Sequence, residues 1–256
     1  MSQTLKFLET NVKGDKAINN KSCYFVKNGV MIMINCGRGV ADAIKKKDAR
    51  LFKNVKVVYQ VLTHDSKDHI YDLKNFFEYV KSKTGNTPKL IDSISYKKET
   101  IKKLGLIEGR DFEYVEPLKN NFNWINFLAV PHGDKSLSCP IELYLNDKKI
   151  FYAGDCANIP FYIENYNEYY FDFSADQENE FFFDIEGIKR IVKKNKIKRN
   201  NLWLVHFISR KALQIAMNAE LQVAKEEVAK FTEKVKTSSN SVKKQSIKEK
   251  SIAKTK

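Results

Sequence analysis

The chain has 256 residues, of which 43% are hydrophobic and 30% charged, with a net charge of +14; this is enough to bury a full core and fits one main domain with an appendage. With no run of eighteen apolar residues and no signal-peptide pattern at its start, it reads as a soluble, untargeted, cytoplasmic chain without a membrane span. Cys23, Cys36, Cys139 and Cys156 show no C-x-x-C spacing, which argues against a zinc ribbon or a disulfide framework and suits a reducing compartment.

The chain opens with β-structure. The runs at 5–10, 22–29 and 30–36 are short, β-branched or aromatic, and Asn28-Gly29, a dipeptide favoured in tight hairpins, breaks the last two. Residues 40–52 are helix-compatible, 55–62 form a buried strand, and 70–83 place Leu73, Phe76, Phe77 and Val80 on one helical face. Further on, 98–106 reads as helix, 122–130, 141–146 and 149–154 as strands, and 181–195 as a helix feeding the strand 201–207. An Ala- and Glu-rich helix is expected over 212–235. Strands in clusters with helices between give a mixed α/β class, with a main domain over 1–211, the C-terminal helix over 212–235 and a disordered tail over 236–256.

All four histidines lie where apolar runs end: His64 and, five residues on in the same loop, His69 in "VLTHDSKDHI", His132 in "LAVPHGD" and His206 in "LWLVHFISR". Asp155 has the same placement in "FYAGDC". Strand ends are where a sheet presents side chains at its edge. A lone imidazole there is more often a satisfied core or surface group; the whole set, together with Asp68 and Asp155, is better explained by a metal site. Neutral imidazole nitrogen and carboxylate oxygen are ligands of borderline divalent ions such as zinc.

These motifs resemble those of the metallo-β-lactamase superfamily, whose H-x-H-x-D-H segment is followed by a single His, an Asp and a final His, each after a strand. The resemblance runs in order and spacing over about residues 3–215; "LKFLET" is similar to that family's "FLGT" opening, and "INCGRG" stands where it often has "DCG". It implies an α+β, four-layer αβ/βα sandwich with metals along one edge. It further implies that His64 and His132 bind a first ion, that Asp68, His69 and His206 bind a second, and that Asp155 bridges the two. Ser66 takes the place of the family's second histidine. A hydroxyl is a poor zinc ligand, so one firmly held ion is expected, zinc with manganese or iron(II) as alternatives, and a second that is weak or absent. Asp134 and Asp65 are substitutes for the missing ligand, although both also read as ordinary loop acids. Asn35 replaces the "DCG" aspartate and bears on support of the site.

The implied chemistry is hydrolysis by metal-activated water, with Asp68 both ligating and accepting a proton. "HFISR" is similar to the "HFSSR" segment of ribonuclease Z, which makes Ser209 and Arg210 candidates for phosphate contact; a helix-capping serine beside a solvated arginine explains the same letters. That branch includes phosphodiesterases of cyclic nucleotides, so nucleotide phosphodiesters are the expected substrates. A degenerate member that binds a ligand or nucleic acid without turnover is the alternative. Seven lysines against one glutamate in residues 236–256 put six of the net positive charges in the tail, which suits nucleic acid or a lysine-rich solvated face equally. The aromatic run at 158–173 suits base stacking or, more simply, packing in a helix and a strand. The helix at 212–235 has an apolar face (Leu213, Ala216, Leu221, Val228, Phe231) that suits packing on the domain or a homodimer.

Overall fold

A computed structural model describes residues 3–8, 22–92, 98–116, 122–132, 136–156, 158–173, 183–207 and 210–224. The first half contains β1 (Lys6–Phe7), β2 (Cys23–Lys27), β3 (Val30–Ile34), α1 (Val40–Leu51), β4 (Val57–Leu62), α2 (Lys67–Ile70), α3 (Leu73–Thr84), β5 (Lys89–Asp92), α4 (Lys98–Lys103) and β6 (Glu113–Tyr114). The second contains β7 (Ile125–Phe127), β8 (Val130–His132), β9 (Ser136–Ser138), β10 (Ile141–Leu145), β11 (Lys148–Tyr152), β12 (Glu168–Phe173), α5 (Ile185–Lys194), a 3₁₀ turn (Arg199–Asn201), β13 (Leu202–Phe207) and α6 (Arg210–Asn218). The strands form a six-stranded sheet in the order β1-β2-β3-β4-β5-β6, a five-stranded sheet β13-β12-β11-β10-β7 and the pair β8-β9.

Period-two alternation decides which layer each side chain enters. In β3, Met31 and Met33 face α1 and α3, where they meet Ile44, Leu73, Phe76 and Phe77, whereas Ile32 and Ile34 face the opposite sheet. In β12, Tyr169, Phe171 and Phe173 pack on Ile188 of α5 and Leu213 of α6, and Tyr170 points between the sheets beside Val61, Tyr152 and Val205. Helix, sheet, sheet and helix therefore stack with an apolar core at each of three contacts: a four-layer αβ/βα sandwich. No helix of the described residues is long and apolar enough to cross a membrane.

Local chemistry ends the helices where the fold needs them to end. Gly85, at φ 71°, closes α3 in the left-handed conformation glycine tolerates. Asp184 caps α5 by accepting from the Gly187 N–H at 2.6 Å. The expected helix over 212–235 stops at Asn218: Glu220 has φ 55°, and the Leu204 N–H donates to Gln222 O while the Ala224 N–H donates to Leu204 O. The free edge of β13 is thus paired by residues 222–224, and satisfying those backbone groups wins over helix propagation. Residues 225–256, with Val228, Phe231 and the lysine tail, lie outside the described residues. The strand expected over 122–130 is divided, because β7 pairs with β10 while β8 leaves to pair with β9.

One buried carboxylate ties the two sheets together. Glu168 opens β12 and accepts from the Thr4 N–H and the Thr4 hydroxyl, both at 2.8 Å, from Lys148 Nζ at 2.5 Å and from the Tyr170 hydroxyl at 2.5 Å. Burial alone would raise its pKa, but the bonds from Lys148, Tyr170 and Thr4 outweigh burial and hold the carboxyl below its ordinary range. A depressed folded pKa stabilises above the unfolded value and is lost as pH falls through the folded one. Glu168→Gln is therefore expected to cost about 1–3 kcal/mol at pH 7. The gap from wild type should close as denaturant titrations are taken below about pH 4.

Candidate metal centre

The chemistry-bearing residues gather where β4, β11, β12 and β13 end. Asn35, just past β3 with φ 55°, has its side-chain Oδ1 hydrogen-bonded at 3.1 Å by both the N–H and the hydroxyl of Thr63. Two donors identify that atom as the amide oxygen and consume the Thr63 hydroxyl proton. Thr63 Oγ1 lies 3.2 Å from His69 Nδ1, so it accepts from an Nδ1–H, and neutral His69 carries its lone pair on Nε2. The loop 35–38 also fixes α2. The Cys36 N–H donates to His69 O, and a Cβ on Gly37 would stand 2.2 Å from Asp68 O, so any side chain there would push α2 away.

His69 is fully buried, and its Nε2 makes no hydrogen bond among the described residues. That atom faces Asp155 Oδ1 at 3.3 Å. Two electron-rich atoms in buried contact repel unless a cation lies between them, and a divalent ion meets this donor set directly. His64 stands on the same side, with Nε2 3.7 Å from Asp155 Oδ2 and its ring centroid 3.9 Å from that of His69.

His206 comes from the opposite sheet, and its backbone explains how. Leu202 and Leu204 face the helix layer, so regular alternation would send His206 there as well. Instead the register shifts, Asp172 pairing with Val205 and Phe173 with Phe207, and His206 takes φ 53°. This bulge puts Phe207 into the helix-side core and leaves the imidazole beside Asp172 and Asp155. His206 Nδ1 lies 3.0 Å from Asp172 Oδ2 and 3.9 Å from Asp155 Oδ1. An Nδ1–H donated to Asp172 leaves Nε2 as the lone-pair nitrogen.

Two groups with ligand atoms close enough to share an ion result: His64, His69 and Asp155, and Asp155, Asp172 and His206, with Asp155 common to both. The negative field of the second is registered nearby, since burial and then Asp172 and Asp155 push the buried Cys156 thiol well above its ordinary pKa.

Asp68 stands outside both groups and is exposed. Its Oδ1 accepts from the Ser66 hydroxyl at 2.6 Å, and Ser66 Oγ lies 2.7 Å from His64 Nε2. With its one proton given to Asp68, Ser66 accepts from an Nε2–H of His64, which keeps that nitrogen from a metal. Ser66 occupies the N-cap of α2 yet makes no side-chain cap bond, so capping does not account for it. Asp65 turns to α4, accepting from Thr100 at 3.1 Å, and is in neither group. His132 ends β8 opposite Ser136 and Arg210 begins α6; their side chains, together with Asp134 and Ser209, lie outside the described residues.

Asp172 was missed in the sequence. Its signal was an acid inside "EYYFDF", a run that is otherwise aromatic apart from its first residue, where an unpaired charge is costly. Thr63 carried no such signal, because its role appears only once Asn35 and His69 converge on it.

No protein-family model matches the sequence, and no curated protein does. Solved structures do match in fold. A diphosphatase of the PhnP family is 16% identical with TM-score 0.64, over 86% of this chain and 94% of that one. The metallo-β-lactamase fold protein YhfI from Bacillus subtilis is 17% identical with TM-score 0.61, over 79% and 85%. Human tRNase Z, short form, is 13% identical with TM-score 0.59, over 81% and 93%. The chain has the metallo-β-lactamase fold.

Proposed function

We propose that the chain is a divalent-metal-dependent hydrolase of nucleotide phosphodiesters, linear or cyclic. The observation that carries this reading is the buried 3.3 Å contact between the Nε2 lone pair of His69 and Asp155 Oδ1. His69 and Asp155 would hold one ion firmly, with His206, Asp68 and His132 extending the set, and the mixture of imidazole and carboxylate favours zinc while admitting manganese or iron(II). A bound divalent ion acidifies water and polarises a phosphoryl oxygen.

The chain's own residues do the positioning. Thr63 and Asp172 hold the Nδ1–H groups of His69 and His206, so that both rings offer Nε2. Asp68, at the exposed rim with Oδ1 accepting from Ser66, would be the carboxylate placed to take up a proton. By the resemblance of "HFISR" to the ribonuclease Z segment, Arg210 would give a planar donor for phosphate and Ser209 a hydroxyl. The ion on the His64 side is weak or absent, because Ser66 holds His64 Nε2. The names of the diphosphatase and the tRNase Z agree with a substrate attacked at phosphorus.

Protein purified without chelator should contain about one zinc, manganese or iron per chain and should hydrolyse bis(p-nitrophenyl) phosphate. A chelator should abolish the rate and added ion restore it. Neither bound metal nor turnover with any divalent ion would defeat the reading. The Ser66–His64 bond favours a second reading, a member that binds a nucleotide without cleaving it; saturable binding of a cyclic dinucleotide by metal-loaded protein, with no product, would select it.

A further inference from the structure

β12 and β13 carry Asp172 and His206 near their C-terminal ends, and the opposite ends of these parallel strands open onto another surface. α5 returns to that end and finishes there, followed by residues 195–198 and the turn Arg199–Asn201. Lys189 of this segment pairs with Glu186 at 2.7 Å. Arg190, Lys193, Lys194, Lys196, Lys198 and Arg199 are exposed within ten residues that hold no acid. Their six charges amount to nearly half of the chain's net +14.

Tyr162 sits beside them, 69% exposed, with Lys194 Nζ 5.2 Å from its ring centroid. Its placement is built into the fold. Asn195, 3% exposed, accepts the Ile163 N–H at 2.9 Å and donates to Ile191 O at 2.9 Å, clamping the Tyr162 loop to the end of α5. Among the described residues no other large hydrophobic side chain is as exposed.

We propose that this face binds single-stranded nucleic acid, the cations tracking phosphates and Tyr162 stacking a base. It lies roughly 17–20 Å from the metal centre, the length of a six-residue strand at about 3.3 Å per residue. Each phosphate neutralised releases condensed counterions, and aromatic stacking is indifferent to sequence, so affinity is salt-dependent and sequence-tolerant. Six cations with no acid among them, beside an exposed ring, match a strand that carries phosphates and bases together.

Fluorescence anisotropy of the full chain with labelled oligo(dT) at low salt tests this independently of metal or turnover. The triple variant Lys193→Gln, Lys194→Gln, Lys196→Gln should bind about tenfold or more weakly, and its log K against log salt slope should fall by about 2. Removing the same number of charges from the tail, with Lys243→Gln, Lys244→Gln and Lys248→Gln, should weaken binding less than about threefold. Tyr162→Ala should cost about fivefold or more on the single strand and leave a duplex of equal length unaffected. Equal losses in the two triple variants, no loss in the first, or equal Tyr162→Ala losses on both nucleic acids would overturn the proposal.

Discussion

His69→Ala is expected to produce a folded protein that has lost its metal, bound ion falling from about one per chain to about a tenth or less. The orientation of His69, a proposed ligand, is fixed by a chain of contacts: Asn35 holds Thr63, Thr63 holds Nδ1, and the Cys36 N–H holds the residue's own carbonyl. The readout that isolates the metal is thermal unfolding with and without added zinc. An ion at a hundred times its dissociation constant stabilises by about 2.7 kcal/mol, so wild type should gain several degrees and the variant almost nothing. Turnover should vanish together with that shift. Asp172→Asn should behave differently, keeping the ion but binding it about 10–100-fold more weakly, because a carboxylate that orients a ligating imidazole sets affinity without supplying the ligand. If His69→Ala retains a full complement of metal and the full thermal shift, the contact between His69 and Asp155 is not the metal's location.

The elements that were legible in the sequence are those whose apolar period is long and uninterrupted. Leu73, Phe76, Phe77 and Val80 announce α3, and all four are buried against α1 and β4. β5 was missed because its four residues all pair with β4, the first two also with β6, and they carry no alternation of their own. The C-terminal helix was overextended because helical spacing cannot register that Leu204 has backbone groups to satisfy, a demand that exists only once β13 lies at a sheet edge. At the site, His64, His132, His206 and Asp155 could be found because each follows an apolar run, and His69 because it lies five residues beyond His64 in the same segment. The inward turn of His206 could not, since it depends on a bulge that one sequence position does not reveal. Ser66 was visible as a departure from a pattern, yet what it does depends on the two neighbours that it bonds.

Ser66→His is expected to raise bound metal from about one ion per chain to about two, with phosphodiester turnover rising about tenfold or more. Two consequences combine. The substitution removes the hydroxyl that accepts His64 Nε2–H and donates to Asp68 Oδ1, at 2.7 and 2.6 Å, releasing an imidazole and a carboxylate together. It also adds a third imidazole at a half-buried position, where the added bulk can extend toward solvent. The His64 side then offers His64, the new ring and Asp155, three protein ligands of the kind that leave an open catalytic position. Ser66→Ala separates the two consequences: it frees Asp68 and deprives His64 of its acceptor without supplying a ligand. This variant should hold no second ion and, with a buried donor left unsatisfied, should lose about 1–3 kcal/mol of stability. Elemental analysis of the two variants beside wild type decides the matter. One ion in the histidine variant, accompanied by a fall in turnover, would mean that the site is tuned around the hydroxyl and that Asp68 works through Ser66 in moving a proton.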